Sequence, residues 1–167
     1  GIEVESQVLD LSNSDVKSFY RELNMQTGVL TRHFTCKLLD GKEVEVKSVR
    51  FCSMDNDELA AISYSIKPLN FSGNIKFTPY LDFDVRNQDA NYGDMFWEET
   101  SRNVSVKKGF VCAKTKKTNF QVAVAMNYTF SADGEDQQIS PNEVDRQLYV
   151  ENNFKSHVEQ GRTYTIN

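Results

Sequence analysis

The segment Asn87-Gln88-Asp89-Ala90-Asn91-Tyr92-Gly93-Asp94-Met95-Phe96-Trp97-Glu98-Glu99 stands apart from the rest of the chain because it sets amides and acids among three aromatics without a period of two. That mixture suits a sugar. A flat ring covers the apolar face of a pyranose, while planar amides and carboxylates bond its hydroxyls in a concave site. Asn87, Asp89, Asn91, Tyr92, Phe96, Trp97 and Glu98 are therefore the candidate pocket residues. The competing reading is a long loop that Phe96 and Trp97 pin to its own domain or to a neighbouring one.

Other constellations offer less. The two histidines, His33 and His157, lack the sequence neighbours that a hydrolase triad or a metal site uses. His33 lies in the alternating run Thr31-Arg32-His33-Phe34 and reads as a side chain on a sheet surface. Glycoside hydrolysis needs two carboxyls facing each other at ~5–10 Å. Asp82 and Asp84 share one face of a strand, and Glu98 and Glu99 follow Trp97, but acids spaced this way are common on solvated strands. Lys107, Lys108, Lys114, Lys116 and Lys117 form a basic stretch that reads as solvated protection of an edge strand. No GxxxxGK or GxGxxG phosphate loop occurs. No catalytic residue, metal ligand or cofactor site is assigned to this chain.

The elements that must position these groups are legible from composition and periodicity. The chain has 167 residues, with 19 Lys and Arg against 24 Asp and Glu, giving a formal charge of −5 and a pI near 5.1. That balance argues against nucleic acid as the main partner. Eleven Phe, seven Tyr and one Trp supply a core of few but large residues. Cys36, Cys52 and Cys112 cannot all pair and make no CxxC, so a reducing, cytoplasmic setting is expected. No apolar run approaches the ~20 residues of a membrane helix. The chain starts at Gly1 rather than Met, which leaves its native beginning and any signal peptide open.

Alternation is clearest over 44–51, 61–66, 75–80 and 120–130, and weaker over 4–11, 29–38, 104–113, 147–150 and 164–166. Roughly nine strands are predicted. Asp40-Gly41 joins two runs, so 30–51 reads as a hairpin, and the clusters 70–74 and 131–136 read as turns. Pro68 and Pro79 are placed at strand ends, edges or bulges. Val16, Phe19, Tyr20 and Leu23 follow Ser14 at helical spacing, which predicts a short helix over 15–23. Ser140-Pro141-Asn142-Glu143 predicts a second, continuing to Gln147. Strand patterns run into both ends, as in a piece of something longer.

Three stretches, taken in order, resemble the N-terminal β-sandwich domain of glycoside hydrolase family 65, the maltose, trehalose and kojibiose phosphorylases. The first is 19–34, with Leu23-Asn24-Met25, Gly28, Leu30, Arg32 and Phe34. The second joins 44–51 to Cys52-Ser53-Met54 and Leu59-Ala60-Ala61-Ile62. The third runs from Pro79-Tyr80-Leu81-Asp82 through Asn87, Asp89-Ala90-Asn91-Tyr92 and Phe96-Trp97-Glu98, and is similar to the maltose phosphorylase branch. The family's early glycine-asparagine-glycine stretch has no counterpart.

The resemblance implies an all-β fold, an antiparallel β-sandwich of the galactose mutarotase-like supersandwich type, incomplete here, with one or two short helices. It implies that residues 1–167 are part of one N-terminal domain and that the catalytic (α/α)6 barrel lies outside this chain. The fragment is then non-catalytic and packs on the barrel of its parent. The parent would be an inverting phosphorylase, or a hydrolase, of α-linked glucose disaccharides such as maltose, with inorganic phosphate as co-substrate. The 87–99 segment would face the barrel and shape its pocket, and a homodimer is possible in such enzymes. The alternative is a free-standing carbohydrate-binding β-sandwich that uses Tyr92 and Trp97 as a sugar platform.

Overall fold

The computed structural model describes residues 1–86 and 95–167. Its first eight strands are β1 (Ile2–Val4), β2 (Gln7–Val8), β3 (Asp15–Asn24), β4 (Val29–Lys37), β5 (Glu43–Cys52), β6 (Ala60–Pro68), β7 (Gly73–Phe77) and β8 (Tyr80–Asp82). The next eight are β9 (Trp97–Ser105), β10 (Lys108–Thr115), β11 (Gln121–Asn127), β12 (Phe130–Ala132), β13 (Glu135–Asp136), β14 (Asn142–Arg146), β15 (Tyr149–Val158) and β16 (Tyr164–Ile166). A 3-10 turn at Leu11–Asn13 is the one helical element among the described residues. The chain folds as two compact units, one of Gly1, Phe77–Tyr128 and Ser140–Phe154, the other of Ile2–Lys76, Thr129–Ile139 and Lys155–Asn167.

The larger unit is built on a seven-stranded sheet in the order β13-β12-β16-β6-β5-β4-β3. Its pairings are antiparallel, and one register row runs Phe19-Phe34-Val46-Ile66-Tyr164-Ala132 across the strands. From Phe34 to Ala132 this row is buried, because period-two alternation sends Phe34, Val46 and Ile66 to one face and Thr35, Glu45 and Lys67 to the other. Val4, Ile75 and Val158 bury their side chains fully from the unit's remaining strands, giving the two apolar faces that a β-sandwich needs. The 30–51 hairpin forms as predicted, with Leu30 opposite Arg50 and Gly41 at φ 87° in its loop. Asp133 and Gly134 both take positive φ, as a two-residue hairpin turn of the primed type requires.

The smaller unit contains the three-stranded sheet β11-β10-β9 and the β14–β15 hairpin, with β8 paired to β15. Phe77 and Tyr128 each stack on Phe154, with ring centroids 5.4 and 6.4 Å away. Fully buried Asn152 spends its amide on the β9–β10 turn, donating to the carbonyls of Ser105 at 3.2 Å and Lys108 at 3.4 Å. Gly109 is buried in β10, where a Cβ would sit 3.1 Å from Val150 and 3.2 Å from Met126.

The all-β, antiparallel expectation holds, and the two predicted helices do not. Residues 15–24 form β3, paired along its length with β4. A register shift between Val16 and Ser18 absorbs one residue, so Val16 and Phe19, three apart, fall on one face together with Arg21 and Leu23. A bulged strand thus imitated helical spacing. The second, expected over 140–147, gives way to β14 (Asn142–Arg146), whose pairing with β15 overrides the local Ser-Pro-Asn-Glu signal. The weak run 104–113 is a hairpin rather than one strand, turning at Lys107 with φ 62°. The lysine stretch does not guard an edge: β10 is the middle strand of its sheet.

Candidate functional site

Of the predicted pocket residues, Asn87, Asp89, Asn91 and Tyr92 lie outside the described residues, while Phe96, Trp97 and Glu98 lie within them. Trp97 and Glu98 open β9, so they stand on a sheet rather than on a loop. Both line a cleft of about 380 Å³ in the smaller unit, together with Asp84, Met95, Glu99, Lys116, Gln147 and Leu148. Phe96 is not part of it, although its carbonyl accepts from the Lys116 amide at 2.9 Å and so fixes the approach of the chain to Trp97.

Each wall has a local cause. Trp97 lies opposite Thr115 in the β9–β10 register, and its ring meets Phe83 edge-on, with centroids 5.6 Å apart at 81°. That contact holds the indole by one edge. Glu98 lies opposite Lys114, and their charged groups are 3.5 Å apart. Glu99 lies opposite Ala113, just before a bulge at which the register shifts to Ser101 opposite Cys112, and it reaches the β14–β15 turn. The Glu99 carboxylate accepts from the Leu148 amide at 2.5 Å and from the Arg102 guanidinium, which also donates to Asp145. Hydrogen bonds, to Asp145 first and to Glu99 second, raise the Arg102 pKa. Asp84, which also lines the cleft, donates its amide to the Asp82 carboxylate at 2.8 Å and lies 3.5 Å from Arg146. Arg146 in turn lies over the Tyr149 ring at 3.9 Å, and Tyr149 stacks on Tyr80.

The arrangement therefore presents one indole, one amide and several acids around a small concavity. Its acids are occupied: Glu99 by an amide and a guanidinium, Glu98 by Lys114, Asp84 by Arg146. Asp82 closes a local turn. Among the described residues no group of three His, Cys, Asp or Glu could hold a metal ion. His33 lies in the other unit, where its Nε2 and a Glu45 carboxylate oxygen are 3.0 Å apart. Sequence reasoning missed Gln147 and Leu148, because only the β14–β15 hairpin brings them to Trp97, and that stretch carried a helix signal.

The family described as glycosyl hydrolase family 65, N-terminal domain, matches residues 1–167. A maltose phosphorylase of Bacillus subtilis (strain 168) is 36% identical over 120 residues, covering 72% of this chain and 16% of that protein. An alpha,alpha-trehalose phosphorylase of Thermoanaerobacter brockii is 29% identical over 172 residues, 98% of this chain and 22% of that protein. A solved structure described as a kojibiose phosphorylase from human microbiome shares the fold, with a TM-score of 0.75 at 19% identity over 99% of this chain and 21% of its own. The chain thus spans about a fifth of the length of the proteins it matches. No helix among the described residues is long and apolar enough to cross a membrane.

Proposed function

Because the chain belongs to the N-terminal domain family of glycosyl hydrolase family 65, we propose that it is a non-catalytic part of a disaccharide phosphorylase whose chemistry lies in a catalytic barrel of the same polypeptide. The observation that carries this reading is the family match over all 167 residues together with 36% identity to a maltose phosphorylase. The parent cleaves an α-linked glucose disaccharide such as maltose, with inorganic phosphate as co-substrate. Residues 1–167 pack on the barrel, and the wall around Trp97 shapes the substrate pocket. Pairing of Glu98, Glu99 and Asp84 with cations or a backbone amide supports a structural rather than acid/base role for them. Three free thiols fit a reducing, cytoplasmic setting.

The test is phosphate-dependent release of glucose 1-phosphate by the full-length parent from maltose, trehalose, kojibiose and nigerose. We expect turnover with one or more of them, and none by residues 1–167 alone. Hydrolysis without phosphate would place the parent among hydrolases instead. The cleft beside Trp97 favours a second reading, sugar binding by this chain itself. Calorimetric titration of residues 1–167 with maltose and longer α-glucans separates the two, since binding abolished by Trp97→Ala would support the module and silence the scaffold.

A further inference from the structure

The core face of the seven-stranded sheet does not end where its cover ends. In the row Phe19-Phe34-Val46-Ile66, exposure falls from 51% at Phe19 to 2% at Phe34 and to zero at Val46 and Ile66. The next row but one along the strands, Leu23-Leu30-Arg50-Ile62, lies on the same face by period-two counting. There Leu23 is 53% exposed and Ile62 56%. The edge strand β3 and the far ends of β4, β5 and β6 therefore form an apolar corner, continuous with the core and left open.

The row between these two gives the corner a sign. Arg21 faces Arg32, and Arg50 follows in the next row, so three guanidiniums share the face with Phe19, Leu23 and Ile62. None of the three has a carboxylate within ion-pair distance among the described residues; Arg32 lies over the Phe34 ring at 5.6 Å. In a chain of net charge −5, with acids in excess, three unpaired cations on one apolar corner are complementary to a surface that carries carboxylates. Exposed apolar patches rimmed by polar groups mark interaction sites.

We propose that this corner is the seat of another segment of the parent polypeptide, apolar on the side that covers Phe19, Leu23 and Ile62 and bearing carboxylates that meet Arg21, Arg32 and Arg50. The relatives are about five times longer than the chain, so a segment within the same polypeptide is available at high effective concentration. This rests on the phosphorylase reading only in requiring a longer parent. It assigns no role in catalysis to the corner.

The experiment is thiol labelling of the native full-length parent in a Cys52→Ser background. Single Phe19→Cys, Leu23→Cys and Ile62→Cys variants are compared with Met54→Cys and Leu39→Cys, whose parent side chains are exposed in this structure. Under the proposal the three corner thiols react at least ~10-fold more slowly than the two controls, because labelling then needs local opening. Adding Arg21→Glu or Arg50→Glu to Leu23→Cys should restore most of the rate, by setting like charges against the occupant's acids. Corner thiols as fast as the controls would overturn the proposal, and so would protection that disappears on dilution, which would mean a second copy of the chain. Protection in a parent that lacks phosphorolysis would sink only the functional reading, and phosphorolysis with unprotected thiols only this one.

Discussion

Glu99 holds Leu148 in a backbone conformation that leucine rarely adopts. The Leu148 amide donates to a Glu99 oxygen at 2.5 Å, and Leu148 sits at φ 60° with its side chain buried. A non-glycine residue in the left-handed region costs on the order of 1 kcal/mol, so the turn needs compensation from its surroundings. Glu99 supplies it from the facing strand, with only 13% of its side chain exposed. Together with the Arg102–Asp145 pair, this contact joins β9 to the β14–β15 hairpin beside the cleft at Trp97.

Glu99→Ala should therefore destabilise the protein by about 1–3 kcal/mol, since it leaves the Leu148 amide and one side of Arg102 without an acceptor. Glu99→Gln, which keeps a carbonyl oxygen for Leu148, should cost less. Urea unfolding followed by Trp97 fluorescence measures both, the probe being in the same cleft. Equal effects of the two substitutions would show that the charge facing Arg102, rather than the amide contact, carries the stabilisation.

The Tyr128 hydroxyl is buried and has no hydrogen-bond partner among the described residues. Burial pushes its pKa from 10.0 up to about 12. A tyrosine whose folded pKa exceeds its unfolded value holds its proton longer in the native state. Its contribution is intact below pH 10 and is lost as pH rises from 10 to about 12. Tyr128→Phe should be neutral or slightly stabilising at pH 7, because no bond is lost, and should flatten the fall in stability above pH 10. Denaturant midpoints of the two proteins across pH 7–11.5 test both parts; an unchanged alkaline slope would mean that another group governs it.

Most of the fold was legible because strands with one buried face announce themselves by alternation, as 44–51 and 61–66 do. What misled was local. The bulge near Lys17 put Val16 and Phe19 on one face at a three-residue interval, and nothing local separates that pattern from a helix turn. Only the long pairing with β4 decides it. The site was half legible for a related reason. Trp97 and Glu98 carry a compositional signal, but Gln147 and Leu148 reach them through a hairpin 49 residues away from Glu99 in sequence.

Acid should act through Asp133. Its carboxylate accepts from the Thr163 amide at 2.8 Å and from Arg162 at 2.8 Å, and the backbone bond first and the guanidinium second hold its pKa below 3.8. A depressed folded pKa contributes stability that is present above the unfolded value and is lost as pH falls through the folded one. Asp133→Asn should therefore narrow the stability difference between pH 5 and pH 2.5, with the two proteins converging at the acid end. Parallel acid limbs for wild type and variant would reject this assignment.

Gly73 leaves room for Glu5, and the pair should behave as a unit. The Glu5 carboxylate accepts from the Asn74 amide at 2.7 Å, while the Glu5 amide donates to the Asn74 carbonyl at 3.0 Å. A Cβ on Gly73 would overlap that carboxylate oxygen. The obstruction is the end of a flexible side chain, so Gly73→Ala should displace Glu5 rather than break the strand, at a cost of about 1 kcal/mol for the lost bond. Glu5→Ala should cost a similar amount by removing the same bond. Once Glu5 is gone, a Cβ at position 73 has no neighbour closer than 3.7 Å, and Gly73→Ala reduces the freedom of the unfolded chain, so it should then be neutral or stabilising by about 0.5 kcal/mol. A double-mutant cycle in urea therefore predicts strong non-additivity, with the double variant no less stable than Glu5→Ala alone. Additive losses would show that Gly73 is needed by the β7 backbone itself and not by the carboxylate beside it.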